Sequence, residues 1–258
     1  MSSVIRLLCL VLALLPAALA SACELRMAWK NDPPYQQEDG YGNMTGLEIE
    51  IARAALTKAG CKLRFVELPF ARAMVELEGG SIDLVSGVLP IPERERYARF
   101  SAPGTLSRNI VFLRSDLAPG QGVATMDELR ASELRVGVER GVAYRAKLEA
   151  LLARPGAPKR VMEESTSLEG LLYMLQKRRI DAFVADEYST TALARQLHLT
   201  ARATDIVIND EPSVFAFSRR SVDAAVVERF NAALEALRRD GSIKRLETQF
   251  LALPKRSP

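Results

Sequence analysis

Residues 81–101 read SIDLVSGVLPIPERERYARFS, and this stretch decides the fold. Residues 82–88 are a short apolar run led in by Gly79 and Gly80, the pattern of a buried strand. The run meets Leu89, Pro90, Ile91 and Pro92, and the two prolines end any ladder because neither can donate a backbone hydrogen bond. Glu93, Arg94, Glu95 and Arg96 follow at once. A buried strand that stops abruptly and presents an arginine at its carboxyl end suits the holding of an anion. The guanidinium is permanently charged, and its planar fork of donors matches a carboxylate. On these residues alone the alternative is a solvated Glu-Arg turn.

Upstream, residues 24–29 form a first strand, closed by a loop with Pro33, Pro34 and Tyr35 and a turn-rich tip over 36–43. Residues 46–60 read as a helix: Glu48 and Glu50 suit its first turn, Lys58 its last, and Gly60 its stop. Residues 61–67 are a second strand. Pro69 then opens a helix whose apolar face is Phe70, Ala73, Met74 and Leu77. Strand, helix, strand, helix, strand is the alternation that builds a parallel sheet with right-handed crossovers.

Downstream, an apolar stretch over 109–114 gives way to a segment with Pro and Gly, and then the pattern restarts. Glu133, Leu134 and Arg135 repeat the opening Glu24, Leu25 and Arg26. Leu168, Leu171, Leu172 and Leu175 form a second helix face, and Ile180-Asp181 follows it as Ile82-Asp83 follows Leu77. The offsets are unequal, so this is one α/β unit used twice rather than a solenoid. A strand over 214–217 and two helices, over 222–237 and 243–250, return to the first unit. The expected architecture is α/β and bilobed: two parallel-rich sheets with flanking helices, joined by crossings near 113–116 and 206–213. Residues 23–112 and 210–258 make lobe 1, and residues 113–209 make lobe 2. Strand carboxyl ends, Arg94 among them, then face each other across a cleft.

The 258 residues are 48% hydrophobic and 26% charged, ordinary values for a folded chain with ample core. A net charge of +3, with basic residues scattered among acids, gives no footprint for nucleic acid. Arg6, the apolar run over 7–15 and the small residues Ala18 and Ala20 form the three parts of a secretory signal peptide, residues 1–22, cut after Ala20 or Ala22. The periplasm is therefore expected. Removal of Cys9 leaves Cys23 and Cys61, which open two strands in matching Cys-x-Leu-Arg settings. A disulfide is expected between them, with lipidation of Cys23 as the alternative. No metal-ligand spacing, phosphate loop or cofactor motif stands out. The single histidine, His198, lies in a helical context that suits a surface or core position.

With these marks in order, the chain resembles the extracytoplasmic solute-binding proteins of polar amino-acid import systems, solute-binding protein family 3. The likeness runs from about residue 24 to 251. It is carried by Pro33-Pro34-Tyr35, the run from Gly46 to Ala52, Gly80 to Asp83, Pro92-Glu93-Arg94, Phe100-Ser101, Gly137 to Gly141, Ile180 to Asp186, and Asp240-Gly241. It implies a type II periplasmic-binding fold that closes on its ligand by a hinge, a monomer that delivers a small polar solute to ABC-importer membrane subunits, and no enzymatic activity.

Carried over by position, Arg94 grips an α-carboxylate, and Asp186 takes an α-ammonium from the opposite lobe. Asp186 after a strand also suits an N-cap or turn. Tyr35, Phe70, Ser86, Gly87, Leu89, Ala143 and Tyr144 are the remaining expected walls. Asp32 stands where an aromatic platform is usual, and Arg72 is either a second anion ligand or a partner of Glu48 or Glu76. Val142 and Ala143 replace the usual Thr after Gly141, which removes a hydroxyl donor. Two rival readings use the same scaffold: a cyclohexadienyl-dehydratase-like enzyme, with Glu139 or Asp186 as its acid, and a soluble ligand-presenting partner of a sensor.

Overall fold

The structure, a computed structural model, describes residues 23–117, 122–156 and 161–251; the expected signal peptide lies outside them. The first half runs β1 (Cys23–Trp29), a ribbon of β2 (Gln37–Glu38) and β3 (Met44–Thr45), α1 (Leu47–Lys58), β4 (Cys61–Glu67), α2 (Phe70–Gly79), β5 (Leu84–Val88), α3 (Pro92–Glu95) and β6 (Ala98–Phe100). The second half runs β7 (Leu106–Leu113), α4 (Met126–Ala131), β8 (Val136–Glu139), α5 (Arg145–Leu152), β9 (Glu163–Ser165), α6 (Leu168–Gln176), β10 (Ala182–Asp186), α7 (Glu187–Gln196) and β11 (Arg202–Pro212). The chain closes with β12 (Val214–Ser218), α8 (Ala224–Arg239) and α9 (Ser242–Phe250).

Two mixed five-stranded sheets form the two lobes, in the orders β4-β1-β5-β12-β6 and β11-β7-β10-β8-β9. Each keeps a parallel trio: β4, β1 and β5 in one, and β10, β8 and β9 in the other. Side-chain alternation along each strand feeds a core on both faces of its sheet. Leu25, Met27 and Leu84 pack with α1, α8 and α9, while Ala28, Val85 and Val88 pack with α2 on the other face. In the second lobe Val111, Leu113 and Val184 face α4 and α5, whereas Ile110, Phe112 and Phe183 face α6 and α7.

The repeated sequence motif has one structural meaning in both lobes. The Arg26 backbone N–H and Nε donate to Asp83 Oδ2, both at 2.8 Å, and Nη2 reaches the Gly80 carbonyl at 2.7 Å. The Arg135 backbone N–H and Nε donate to Asp181 Oδ2 at 3.0 and 2.9 Å, and Nη2 reaches the Arg178 carbonyl at 2.6 Å. Gly80 and Arg178 both hold positive φ, 82° and 55°, so that the turn after the helix can offer its carbonyl to the arginine. Cys23 and Cys61 are register partners on β1 and β4, and their sulfurs are bonded. The Cys23 sulfur is thereby committed to Cys61.

Two expected boundaries differ. Residues 106–112, assigned to lobe 1 by sequence, belong to β7, which pairs antiparallel with β10 and β11 of the second sheet, and residues 210–212, also assigned to lobe 1, are the end of β11. The first crossing therefore falls at residues 101–105, not 113–116. An apolar run shows that a strand exists but not which sheet it joins. Antiparallel pairing with β11, whose interrupted alternation hides it in the sequence, draws β7 across. The second crossing is the single residue Ser213 between β11 and β12. At the hinge the two crossings are tied directly: the Ser213 N–H donates to the Thr105 carbonyl at 2.7 Å, and their hydroxyls lie 2.9 Å apart.

The interlobe cleft as candidate ligand site

The carboxyl ends of β1, β5, β8 and β10 meet at a cleft of about 940 Å³, its open mouth included. Each parallel trio points its strand ends at the other lobe, which is where such sheets present ligand sites. Tyr35, Phe70, Ser86, Gly87, Leu89, Arg94, Ala143, Tyr144, Asp32 and Asp186 all line it. Arg72 does not. Its side chain is 63% exposed and pairs with Glu76 on the outer face of α2, because residues two apart on a helix point to opposite sides and Phe70 already faces inward.

Arg94 sits on the one-turn helix α3, started by Pro92 at its first position. Its Nη1 donates to the Leu89 carbonyl at 2.9 Å, and its Nη2 crosses to the Gly141 carbonyl of the second lobe, also at 2.9 Å. The Phe70 ring lies 5.6 Å from the guanidinium carbon, which adds a cation–π contact. The residue is only 6% exposed, and burial pulls its pKa down against the opposing pull of Tyr97. With no carboxylate as hydrogen-bond partner among the described residues, its remaining donors are suited to an incoming anion.

Asp186 caps α7 and also lines the cleft, so capping leaves the carboxyl at the cleft. Its Oδ1 accepts the N–H groups of Tyr188 and Ser189 at 2.9 and 3.0 Å, and its Oδ2 accepts that of Arg108 at 3.2 Å. The Tyr35 hydroxyl approaches from the other lobe at 3.5 Å. Burial, opposed by these amides and reinforced by the Asp32 charge, pushes the carboxyl up to about 7. Tyr144 donates to the Val184 carbonyl at 3.0 Å, and burial first, then the nearby carboxylates, raises its phenol.

Several lining residues escaped the sequence reading. Lys30, just past β1, sets its ammonium 2.8 and 3.0 Å from the two oxygens of Glu139 at the end of β8, an ion pair that spans the lobes. Burial works against the Lys30 charge, but Asp32 and Glu139 outweigh it and raise the pKa. Glu48 is not a solvated first-turn acid. It is 4% exposed and lines the cleft, where it accepts from Gln36 at 3.0 Å and from the hinge residue Thr105 at 3.2 Å. Ser189 lines the same space with a buried hydroxyl that has no partner among the described residues. No cluster of potential metal ligands occurs among the described residues, and none of their helices is long and apolar enough to cross a membrane.

This cleft between two α/β lobes is the architecture of a solute-binding protein. Residues 25–252 match the bacterial extracellular solute-binding proteins, family 3, and the chain belongs to that family. It is 24% identical over 223 residues to the arginine-binding extracellular protein ArtP of Bacillus subtilis strain 168, covering 84% of this chain and 81% of the relative. Among solved structures, a histidine kinase sensor domain similar to periplasmic binding proteins superposes with a TM-score of 0.76 at 21% identity, over 90% of this chain and 96% of that one. An ancestral amino acid-binding protein, a precursor of cyclohexadienyl dehydratase, gives 0.72 at 22% identity, over 88% and 95%. Relatives are mostly binding proteins, but membrane-bound lytic murein transglycosylases occur among them, matched over 46% of their length.

Proposed function

We propose that the protein captures an amino acid or related small carboxylate in the periplasm and delivers it to an ABC importer. One observation carries this reading: Arg94 and Asp186, opposite in charge and borne by opposite lobes, face one cleft. A zwitterion held by one charge from each lobe is bound fully only when the lobes close, which couples capture to the hinge. The signal peptide expected over residues 1–22 supports export, and the names of the relatives support an amino acid as cargo. A thermal-shift screen of residues 21–258 against amino acids, amines and carboxylates tests the reading. A ligand at a hundred times its Kd stabilises the fold by about 2.7 kcal/mol, and a response to amino acids is expected. Silence across all of them would sink it.

An enzyme on the same scaffold has one observation in its favour. Asp186, with its pKa raised to about 7, is a buried cleft acid able to hold and deliver a proton near neutrality. Incubation of the bound ligand with the protein, followed by mass spectrometry, separates the readings. A binding protein returns the ligand unaltered; a product of altered mass makes the chain an enzyme.

A further inference from the structure

One short segment of lobe 2, Glu139 to Gly141, is gripped by three separate parts of lobe 1. Lys30, next after β1, donates to both carboxylate oxygens of Glu139 at 2.8 and 3.0 Å. Arg94, on α3, donates to the Gly141 carbonyl at 2.9 Å. Ala71, in the first turn of α2, comes so near that a Cβ on Gly141 would stand 3.1 Å from the Ala71 Cβ. Gly141 also holds φ at 85°, so its lack of a side chain serves both the turn and the approach of the lobes. The gripped segment is fixed to its own sheet. The Arg140 N–H donates to the Ser165 carbonyl of β9 at 2.8 Å, and its Nε to Glu164 at 3.1 Å. A grip on these three residues is therefore a grip on lobe 2 as a body.

Every atom in these contacts belongs to the protein, so they act on closure itself. Closing takes two charges out of water, a cost that only close geometry and additional partners offset. Both conditions are met here: the ammonium makes two short bonds to one carboxylate and has Asp32 of its own lobe at 3.6 Å. When the lobes part, Lys30 keeps Asp32, whereas Glu139 loses its cation. The attraction between Lys30 and Glu139 thus favours the closed arrangement alone. Both residues also line the cleft, so direct contact with a ligand, or support of the fold without effect on closure, are the competing roles.

We propose that Lys30 and Glu139 are positioning residues for capture, an interlobe clasp that favours closure through the protein's own charges and so lowers what a ligand must supply. Apparent affinity scales with the fraction of molecules in the binding-competent form, so the pair sets affinity without having to touch the ligand. The proposal rests on the two lobes and their hinge and not on the cargo, and its test needs no ligand. Small-angle X-ray scattering of residues 21–258, stripped of carried-over solutes by unfolding and refolding, reads the separation of the lobes. Wild type is expected to match the curve calculated from this structure. Glu139→Ala, which removes the clasp and leaves Lys30 with Asp32, should expand, its closed-to-open ratio falling at least about tenfold. Should that variant fail to fold, Glu139→Gln keeps the size of the side chain, loses its charge, and should expand in the same sense. A variant as compact as wild type overturns the proposal, and so does wild type that is already as open as the variant. Failure of every amino acid in the thermal-shift screen would remove the cargo reading and leave this scattering result standing.

Discussion

Lys30 and Glu139 occupy the same place in the repeated unit: each lies four residues past the clamp arginine, Arg26 or Arg135. Their opposite charges meet because the two units face each other across the cleft. Removing Lys30 leaves the largely buried Glu139 charge unpaired, which costs about 3 kcal/mol or more. Lys30→Met should destabilise by that amount in urea unfolding, Glu139→Leu should cost less because Lys30 keeps Asp32 at 3.6 Å, and the double variant should recover most of the Lys30→Met loss. Strictly additive losses would show that the pair is not coupled.

At this scale the sequence was uneven as a guide. Arg94 was legible because two prolines stop its strand and leave the side chain at a strand end. Glu48 was not, because an acid in the first turn of a helix is already explained by the dipole. The signal was nonetheless present: Ala52 and Ala55 follow Glu48 at i+4 and i+7, a small apolar stripe that is buried. A long-range meeting such as Lys30 with Glu139 has no local signature and needed the repeat to be used as geometry.

Among the elements, the arginine clamp that opens each sheet explains why Ile-Asp recurs after each helix. Gly80 must hold φ 82° to turn its carbonyl toward Arg26, and a Cβ there would also meet the Arg220 side chain at 3.0 Å. Gly80→Ala should therefore lower stability by about 1–2 kcal/mol, measured as a lower urea midpoint with unchanged slope. No change would mean that the turn can rearrange. The disulfide closes a 38-residue separation, and its replacement by Cys23→Ala with Cys61→Ala should cost about 2–4 kcal/mol.

Helices with one apolar face and strands bounded by Gly or Pro were readable from period and punctuation. Strand β11 was harder. Thr204, Ile206 and Ile208 do alternate inward, but the register shifts beside Ala203, Val207 and Asn209 break the ladder and mask its length. Without β11, β7 had no visible partner, and the crossing was drawn one strand too late.

For the whole molecule, the cleft sets how stability responds to pH. The folded state holds the Asp186 proton more tightly than the unfolded chain, about 7 against 3.8, so raising the pH through this window removes stability. Asp83 and Asp181 are held below their usual range. Burial resists the shift at Asp83, where hydrogen bonds from Arg26 and Ser221 prevail; at Asp181 the hydrogen bond from Arg135 leads. These two act the other way, and only in more acidic solution. Thermal melts without ligand should therefore show higher stability at pH 5 than at pH 7.5. In Asp186→Asn, which preserves a capping side chain, that difference should shrink, leaving the part that belongs to Glu48 and Glu139, whose carboxyls burial also raises. A ligand whose ammonium meets Asp186 should cancel that difference, since its binding favours the ionised carboxylate and tightens as the pH rises through about 7.

The central claim is that Arg94 holds the carboxylate of a ligand that bridges the lobes. The most direct test is titration calorimetry of wild type and Arg94→Ala with the preferred amino acid and with the amine left when its carboxylate is removed. Wild type is expected to favour the amino acid over the amine by about a hundredfold, the worth of a charge-assisted pair in a closed cleft. The variant should lose that preference by weakening the amino acid alone. A preference that persists in Arg94→Ala would contradict the account, because some other group would then be holding the carboxylate.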